Sequence, residues 1–388
     1  MIRLLHVIAG LELGGVQIVL YRLLSRIDRA VFQNQVISLT DIGVVGRRIR
    51  ALGVPVEALG MRPGVPDPRG LLRLARWFRR WRPDVIQTWM YHSDLMGGLA
   101  AWMTGSAKPV WGVHYGRLDP QENPLHTRAT ARVCAWLSGW LPARIVCCAE
   151  FTRQTHRQLG YPDDKMLTIP NGVDLETFHP DPSAPASVRR ELGLPEDALL
   201  VGLMARWDPQ KDHRNFVRAA ARLHARLPDA HFLLCGIGIT WENAALAAWI
   251  EAERLRHRFH LLGERDDIAR LMAALDVATL ASSSEAYGNV VSEAMACGVP
   301  CVVTDTGDLP QVVGDTGRVV PIKDPEALAQ ALHQVLILPP EDRQGLGRRA
   351  RRRVEEHYDL DAAVARYQQL YLEVAGAARS RANGPMAQ

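Results

Sequence analysis

With 388 residues, 47% of them hydrophobic and 23% charged, the chain is long enough for two domains with substantial cores and has the charge content of an ordinary soluble globular protein. Its longest apolar runs have the length of strands, and none of them predicts a membrane-spanning helix. The formal charge of +4 is unevenly divided: residues 1–175 carry 22 Lys and Arg against 13 Asp and Glu, whereas residues 176–388 carry 24 against 29. A basic first half and a mildly acidic second half predict different partners for the two halves.

The six cysteines include no Cys-x-x-Cys pair and mostly fall in apolar strands, so the sequence predicts neither a zinc site nor a disulfide framework. A cytoplasmic location is therefore expected. The apolar run after Met1 is short and no small-residue cleavage site follows it cleanly, so it is interpreted as a first buried strand and not as a signal peptide.

The first half alternates strands and helices, which predicts a doubly wound α/β domain with a parallel sheet. The predicted strands are residues 4–9, 35–39, 85–88, 110–113, 145–149 and 166–170. After the first strand, Gly14 and Gly15 precede an apolar-periodic helix. Such a pair suits close approach of the backbone to a phosphate, but it also fits a simple tight turn, because the order of glycines is not that of a dinucleotide fingerprint.

Residues 71–81 predict an amphipathic helix with leucine and aromatic side chains on one face and Arg73, Arg76 and Arg80 on the other. The favoured interpretation is that the apolar face packs on the sheet and the arginines are solvated. Peripheral contact of this helix with an anionic membrane, at the inner face of the cytoplasmic membrane, is the alternative hypothesis.

A proline-rich segment, residues 178–185, predicts a linker and places the domain boundary near residues 171–190. The alternation then resumes, with predicted strands at residues 199–204, 231–235, 259–262, 277–281, 300–304 and 318–321. The chain is thus predicted to form two like-built α/β domains, residues 1–175 and 176–358, with a ligand-binding cleft between them.

Several predicted strands are followed by polar side chains, at the positions where α/β proteins bind ligands. His114 follows the strand at 110–113, and on position alone it is interpreted as structural. Arg206 and Lys211 follow the strand at 199–204. A forked guanidinium and a mobile ammonium suit a diphosphate, although a pair of solvated surface cations is the common alternative.

Residues 282–300 predict a loop and a helix between two buried strands. Glu285 and Glu293 lie eight residues apart, while Gly288 and Asn289 let the backbone approach a ligand and leave the first helical N–H groups free to meet an anion. Elsewhere, residues 236–238 form part of a dinucleotide fingerprint, but Trp241 takes the place of its third glycine. This substitution speaks against an NAD oxidoreductase.

Jointly and in this order, the motifs make nearly the whole chain resemble the retaining glycosyltransferases of family 4, which have the GT-B fold of two Rossmann-like domains facing each other across a cleft. The resemblance is carried by Gly14-Gly15, residues 171–174 (NGVD), Arg206 with Lys211, residues 263–267 (GERDD), Glu285 with Glu293 at E-x7-E spacing, and residues 294–300.

This resemblance implies a nucleotide-sugar donor, a UDP- or GDP-sugar, bound mainly by the second domain. A saccharide or lipid-linked acceptor would be bound mainly by the first domain, in cell-surface polysaccharide or glycolipid synthesis, with no nucleic-acid partner. The final helix, residues 359–376, would cross back to the first domain. Transfer would proceed with retention of configuration, and the charge of the leaving group would be stabilised by two cations instead of a metal or another cofactor.

The resemblance also assigns roles to single residues. Arg206 and Lys211 would hold the diphosphate, Glu285 would contact the donor sugar, and Glu293 would bind the ribose. The remaining assignments are the first loop with Gly14 and Gly15 near the phosphate, Gly263 and Gly288 in the donor site, the Asn289 and Val290 amides on the diphosphate, and His114 near sugar and acceptor.

The sequence departs from the family pattern at Gln17, where an acidic residue is common, and at Ala286-Tyr287, where Gly-Phe is common. Both positions lie on the side that faces the sugar, so the departures bear on the identity of the donor sugar. Two alternatives remain open at this stage: a nucleotide-sugar epimerase of the same architecture and a non-catalytic nucleotide-binding protein.

Overall fold

The structure is a computed structural model that describes residues 1–62, 67–116, 118 and 124–382. The chain divides into two compact units, the first formed by residues 1–172 with the segment from Leu360 onward, and the second by residues 173–359. Within the described ranges, no helix combines the length and apolarity needed to cross a lipid bilayer.

The first unit contains a seven-stranded parallel sheet with the strand order β3-β2-β1-β4-β5-β6-β7. Its central strands are buried along their length, as expected for a parallel sheet covered by helices on both faces. In chain order the elements are β1 (Ile2–Ile8), α1 (Gly15–Arg26), β2 (Phe32–Ser38), α2 (Gly43–Ala51), β3 (Val56–Ala58), α3 (Pro68–Trp81), β4 (Val85–Trp89), α4 (Tyr91–Thr104), β5 (Val110–Val113), α5 (Leu125–Leu137), β6 (Arg144–Cys147), α6 (Glu150–Gln158) and β7 (Met166–Thr168).

The second unit contains a six-stranded parallel sheet with the order β10-β9-β8-β11-β12-β13. Strand β8 lies at the point where the chain order reverses, between β9 and β11, and such a point is where doubly wound sheets bind ligands. The elements are α7 (Ala184–Glu191), β8 (Leu200–Met204), α8 (His213–His224), β9 (His231–Cys235), α9 (Ala244–Ala252), β10 (Phe259–Leu261), α10 (Ile268–Ala273), β11 (Val277–Leu280), α11 (Asn289–Ala296), β12 (Cys301–Thr304), α12 (Leu309–Val313), β13 (Arg318–Val320), α13 (Pro325–Leu336) and α14 (Pro340–His357).

The last helix, α15 (Leu360–Ala382), packs on the first unit although it follows the second in the chain. Its Val364, Tyr367 and Tyr371 join the hydrophobic core that also contains β1 and α1 residues. The Tyr371 hydroxyl donates a hydrogen bond to Gln87 Oε1 on β4 at 3.1 Å. The chain therefore returns to its first unit, as the family resemblance implies.

The proline-rich segment is not a linker, because it lies inside the second unit and is packed there. Phe178 is buried, and its carbonyl accepts a hydrogen bond from Arg351 at 2.6 Å. Pro180 lies beside Gly298, and α7 begins at Ala184. The units divide between Gly172 and Val173, within the predicted range of residues 171–190. The Cα of Leu360 stands 2.4 Å from the position that a Gly172 Cβ would take.

Helix α3 buries the apolar face that the sequence predicts. Leu74 and Phe78 are fully buried in the core of the first unit, whereas Arg73, Arg76 and Arg80 are exposed. The apolar side of this helix is thus used to cover the sheet.

Candidate functional site

The strand order of the second unit brings the loops after β8 and β11 side by side, because these two strands are paired. The β8 loop carries Arg206 and Lys211, and the β11 loop carries Glu285. The Ser283 N–H donates a hydrogen bond to the Gln210 carbonyl at 2.8 Å and ties the loops together. Two segments more than seventy residues apart thus form one polar surface at the carboxyl edge of the sheet.

Lys211 and Glu285 form an ion pair at the centre of this surface. The two side chains are only 17% and 11% exposed, so the pair is shielded from water. The Ser282 hydroxyl donates to the same carboxylate oxygen of Glu285 at 2.8 Å. An ammonium has three N–H donors, so Lys211 can hold Glu285 and bind a phosphate oxygen at the same time.

Arg206 lies at the rim of the surface and is half exposed. Its Nη2 and Nε donate to Asp208 Oδ2 at 2.7 and 3.2 Å, which holds the guanidinium in one orientation. Burial raises the pKa of Asp208, but hydrogen bonds from the Gln210 amide and from Arg206 outweigh it and keep the pKa below its ordinary value. Asp208 is therefore ionised at neutral pH, and it was not among the predicted site residues.

Helix α11 begins four residues after Glu285, and the residue before it occupies a position that only glycine fills without strain. Gly288 has a φ of +79°, and an added Cβ would stand 2.4 Å from Leu309 Cδ2. The first N–H groups of an α-helix have no partner within the helix, and binding of an anion by the amides of Asn289 and Val290 stays a prediction.

The loop that carries Glu285 is braced from β12. Gly307, with φ +59°, would place a Cβ only 2.6 Å from the carbonyl oxygens of Glu285 and Ala286, and the Asp308 N–H donates to the Ala286 carbonyl at 3.0 Å. Gly307 contacts the Glu285 loop through the backbone. The sequence therefore gives no indication of this role for Gly307, since no motif of charged residues identifies it.

Glu293 lies on α11 and is buried, with 7% of its surface exposed. Burial of Cys297 is the main cause that raises the pKa of its thiol to about 12, and the charge of Glu293 is the second cause. Glu293 thus lies in the second turn of the helix that follows the Glu285 loop. Its binding of a ribose stays a prediction.

The glycines after β9 and β10 join neighbouring loops of the same edge. The Gly236 N–H donates to the Gly263 carbonyl at 2.8 Å, and an added Cβ at Gly236 would stand 2.4 Å from the Ala205 carbonyl. The glycine pair at 236 and 238 thus permits close packing against the Arg206 loop, which gives it a structural explanation other than dinucleotide binding.

The charges that follow Gly263 are used in packing. Arg265 binds both carboxylate oxygens of Asp267 at 2.8 and 2.9 Å and also pairs with Glu191 of α7 at 3.0 Å. The hydrogen bond from Arg265 is the main reason that the pKa of Asp267 is lowered. These residues fasten α7 to α10.

The first unit carries the remaining predicted residues. Gly14 precedes α1, and an added Cβ there would meet Gln17 Oε1 at 2.5 Å, while Gln17 Nε2 donates back to the Gly10 carbonyl at 3.1 Å. The atom that such a Cβ would meet is the end of a flexible side chain, so a change in the Gln17 rotamer would relieve the contact. Gly15 is the first residue of α1.

His114 follows β5 and packs against Trp89, with ring centroids 5.5 Å apart. Burial lowers its pKa to about 4, so the imidazole is neutral at pH 7. Its Nε2 is inaccessible to water and has no hydrogen-bond partner among the described residues. An unpartnered polar atom at the carboxyl edge of a sheet is a candidate for contact with a ligand.

Across the described ranges, no three His, Cys, Asp or Glu side chains are grouped so that they could hold a metal ion. Binding of a diphosphate by Arg206 and Lys211 stays a prediction.

Two sequence profiles match the chain, one in each half. The profile described as glycosyltransferase family 4 matches residues 13–177, and the profile described as glycosyl transferases group 1 matches residues 196–337.

Relatives and a solved structure agree with these matches. The chain is 30% identical over 223 residues to N-acetyl-alpha-D-glucosaminyl L-malate synthase of Bacillus anthracis, an alignment that spans 57% of each chain. It is 31% identical over 283 residues to the GDP-mannose-dependent alpha-(1-6)-phosphatidylinositol dimannoside mannosyltransferase of Mycobacterium tuberculosis, covering 71% of this chain and 70% of that protein. The crystal structure of Anabaena HepE with UDP and glucose superposes with a TM-score of 0.85 at 20% identity, over 96% of this chain and 100% of that one. This superposition shows a common fold.

Proposed function

The chain belongs to glycosyltransferase family 4, and we propose that it transfers a sugar from a UDP- or GDP-sugar to a saccharide or lipid-linked acceptor, with retention of configuration and without a metal ion. The observation that supports the donor site is the ion pair between Lys211 and Glu285 at the ends of the paired strands β8 and β11. The loop with Lys211 also carries Arg206, and the loop with Glu285 leads into α11.

This arrangement suits departure of a nucleoside diphosphate. Negative charge develops on the leaving diphosphate as the bond to the sugar breaks, and preorganised cations stabilise that charge without further rearrangement. Arg206 would bind two phosphate oxygens with its planar fork, Lys211 would act as a compact charge, and the α11 amides would donate further hydrogen bonds. Two fixed cations and a helix terminus are the support for the proposal of metal independence.

The carboxylates would position the donor. Glu285 would accept hydrogen bonds from sugar hydroxyls, and its ion pair with Lys211 would hold the sugar in a fixed position relative to the diphosphate. Glu293 would bind the ribose. Since His114 is neutral at pH 7, it would serve as a hydrogen-bonding group toward sugar or acceptor and not as a cation.

Retention of configuration is what the family resemblance implies. The acceptor class draws support from the name of the mycobacterial relative, which acts on a phosphatidylinositol dimannoside, and from the basic first half of the chain. The name of the Bacillus relative gives L-malate instead. Donor sugar and acceptor thus need a direct assay.

A panel of UDP- and GDP-sugars, each incubated with saccharide and lipid-linked acceptors, tests the proposal by release of nucleoside diphosphate and by mass spectrometry of the product. We expect one donor class to be used equally with and without EDTA, and NMR of the product to show the anomeric configuration of the donor. Arg206→Ala should slow transfer at least a hundredfold, whereas Arg218→Ala, which removes an exposed cation on α8, should leave the rate unchanged. Clean epimerisation of the free nucleotide sugar without an acceptor would overturn the proposal.

A further inference from the structure

The first unit exposes several large apolar side chains on the helix pair α4 and α5. Trp136 is 79% exposed and Trp102 is 64% exposed, which is unusual for tryptophan in a globular protein. We call this surface the tryptophan patch; it consists of Trp102, Met103, Val133, Trp136 and Trp140. Exposed apolar groups in this number mark an interaction surface.

The patch is built into the fold. Helices α4 and α5 pack together, and Trp102 meets Trp140 edge-on with ring centroids 6.0 Å apart. Lys108 Nζ donates to the Trp140 carbonyl at 2.8 Å, which fixes the turn after α5. Val133 and Trp136 share the exposed side of α5, so the patch presents its rings on an ordered surface.

The surroundings of the patch carry more basic than acidic side chains. Residues 95–116 and 124–149, which hold α5 and most of α4 with the turns that follow them, contain no Asp or Glu, but they include Lys108, Arg128, Arg132 and Arg144. A hollow of about 1080 Å³ adjoins the segment from Thr104 to Lys108. Its charged lining residues are the cations Arg3, Arg79, Arg82, Lys108, Arg144 and Lys165 and the acids Asp84 and Glu373.

The position of the patch separates it from the donor chemistry. Each helix of the first sheet runs back from the carboxyl edge to the amino edge, so Trp102, Trp136 and Trp140, at or beyond the ends of α4 and α5, lie toward the amino edge. His114 follows the carboxyl end of β5. Substitutions in the patch can therefore be made without touching predicted site residues.

We propose that the tryptophan patch and its basic surroundings seat the first unit on an anionic lipid bilayer. Tryptophan rings are favourable at the interface between lipid tails and headgroups, and cations beside them attract anionic headgroups. The combination supplies the two kinds of attraction that stable peripheral binding requires. Charge favours this occupant over a protein surface of mixed sign, because residues 95–149 carry five Lys and Arg against two Asp and Glu.

This surface differs from the arginine stripe of α3. Helix α3 uses its apolar face to cover the sheet, so its exposed arginines lack a comparable group of exposed aromatic rings beside them. The tryptophan patch has rings and cations together. The proposal concerns attachment and goes beyond the transfer reaction, so it is tested without donor or acceptor.

Sedimentation of the full chain with vesicles of phosphatidylcholine, with and without about a third phosphatidylglycerol, tests the proposal. We expect binding to the anionic vesicles that weakens as salt is added. The double variant Trp102→Ala/Trp136→Ala should reduce the partition coefficient tenfold or more. Arg132→Gln, a removal of one exposed cation, should reduce it by about fivefold.

Control variants make each outcome decisive. The single variant Trp136→Ala should have the same thermal midpoint as the native chain and should still bind vesicles more weakly. Weaker binding in the double variant is then not caused by unfolding. Ile337→Ala removes an exposed apolar side chain of the second unit, and Arg73→Gln/Arg76→Gln/Arg80→Gln removes the α3 stripe; neither should change binding. Loss of binding only in the α3 variant would overturn the proposal. So would patch variants that bind vesicles like the native chain but change its oligomeric state in light scattering, since the patch would then be a protein interface.

Discussion

The ion pair between Lys211 and Glu285 can be tested separately for stability and for catalysis. Lys211→Met leaves the Glu285 carboxylate in a shielded place, where it still accepts a hydrogen bond from the Ser282 hydroxyl at 2.8 Å. Breaking a buried ion pair by removing one partner costs about 3–5 kcal/mol, and because both side chains keep some exposure we take the lower end, about 3 kcal/mol. For a domain of this size, such a loss lowers the melting temperature by about 6–12 °C.

The double variant Lys211→Met/Glu285→Gln removes both charges. It should regain most of the lost stability, because a neutral pair of similar volume pays no desolvation cost for charge. Transfer should nevertheless stay about 10²–10³ slower than in the native enzyme in all variants, since the cation that would stabilise the leaving diphosphate is missing. Thermal unfolding followed by circular dichroism and a nucleoside-diphosphate release assay give the two quantities. Full transfer activity in the stable double variant would refute the reasoning, and so would an unchanged melting temperature in Lys211→Met.

Three further predictions concern the fold and the site. His6, His156 and His213 are buried, and burial lowers the pKa of each to about 4. Below about pH 6.5 the unfolded chain binds protons at these histidines and the folded chain does not. The free energy of unfolding, measured with urea, should therefore fall toward pH 4 by up to about 1.4 kcal/mol per pH unit for each histidine. A free energy of unfolding that does not change with pH would contradict the burial of these histidines. Arg206→Lys should lower kcat/KM about tenfold, and Arg206→Ala should lower it at least a hundredfold. Neither variant should change the stability much, because the side chain is half exposed. Equal activity of the two variants would show that the guanidinium fork has no role. Gly288→Ala should destabilise the second unit by about 1–3 kcal/mol and raise KM for the donor. Gly105→Ala, at φ +64° in open space, should show only the smaller cost of the backbone conformation. Equal losses of stability in the two variants would show that the Leu309 contact is unimportant.

The sequence predicts most strands of both sheets because a strand covered on both faces appears as a continuous apolar run. Strand β5 has the predicted bounds, and so does β9. Strand β3 was missed, since it has three residues at the edge of the sheet and two of them are exposed. A short edge strand owes its place to its neighbour β2 and not to its own pattern.

The prediction that residues 178–185 form a linker was wrong because it also ignored contacts with distant parts of the chain. Prolines exclude a continuous helix or a central strand, but they do not exclude packing. Phe178 supplies an apolar anchor and Arg351 satisfies its carbonyl, and that arginine lies far along the chain. Composition alone gives no indication of such a contact.

The candidate site residues could be named from the sequence, but the contacts among them could not. Arg206, Lys211 and Glu285 were named because each follows a predicted strand, and their binding of a donor stays a prediction. Their pairing depends on β8 lying beside β11, and strand order cannot be read from the pattern of single strands. The support from Ser282 and Gly307 was missed for the same reason, although the run of serines after β11 gives a sequence indication for Ser282.

The central claim, that Arg206, Lys211 and the start of α11 bind a diphosphate, is tested most directly by calorimetric titration with UDP, GDP and the corresponding monophosphates. The account predicts that the preferred diphosphate binds at least tenfold more tightly than its monophosphate, and that Arg206→Ala removes most of this difference while leaving the affinity for the monophosphate nearly unchanged. Equal affinities for diphosphate and monophosphate in the native chain, or a difference that survives in Arg206→Ala/Lys211→Met, would contradict it.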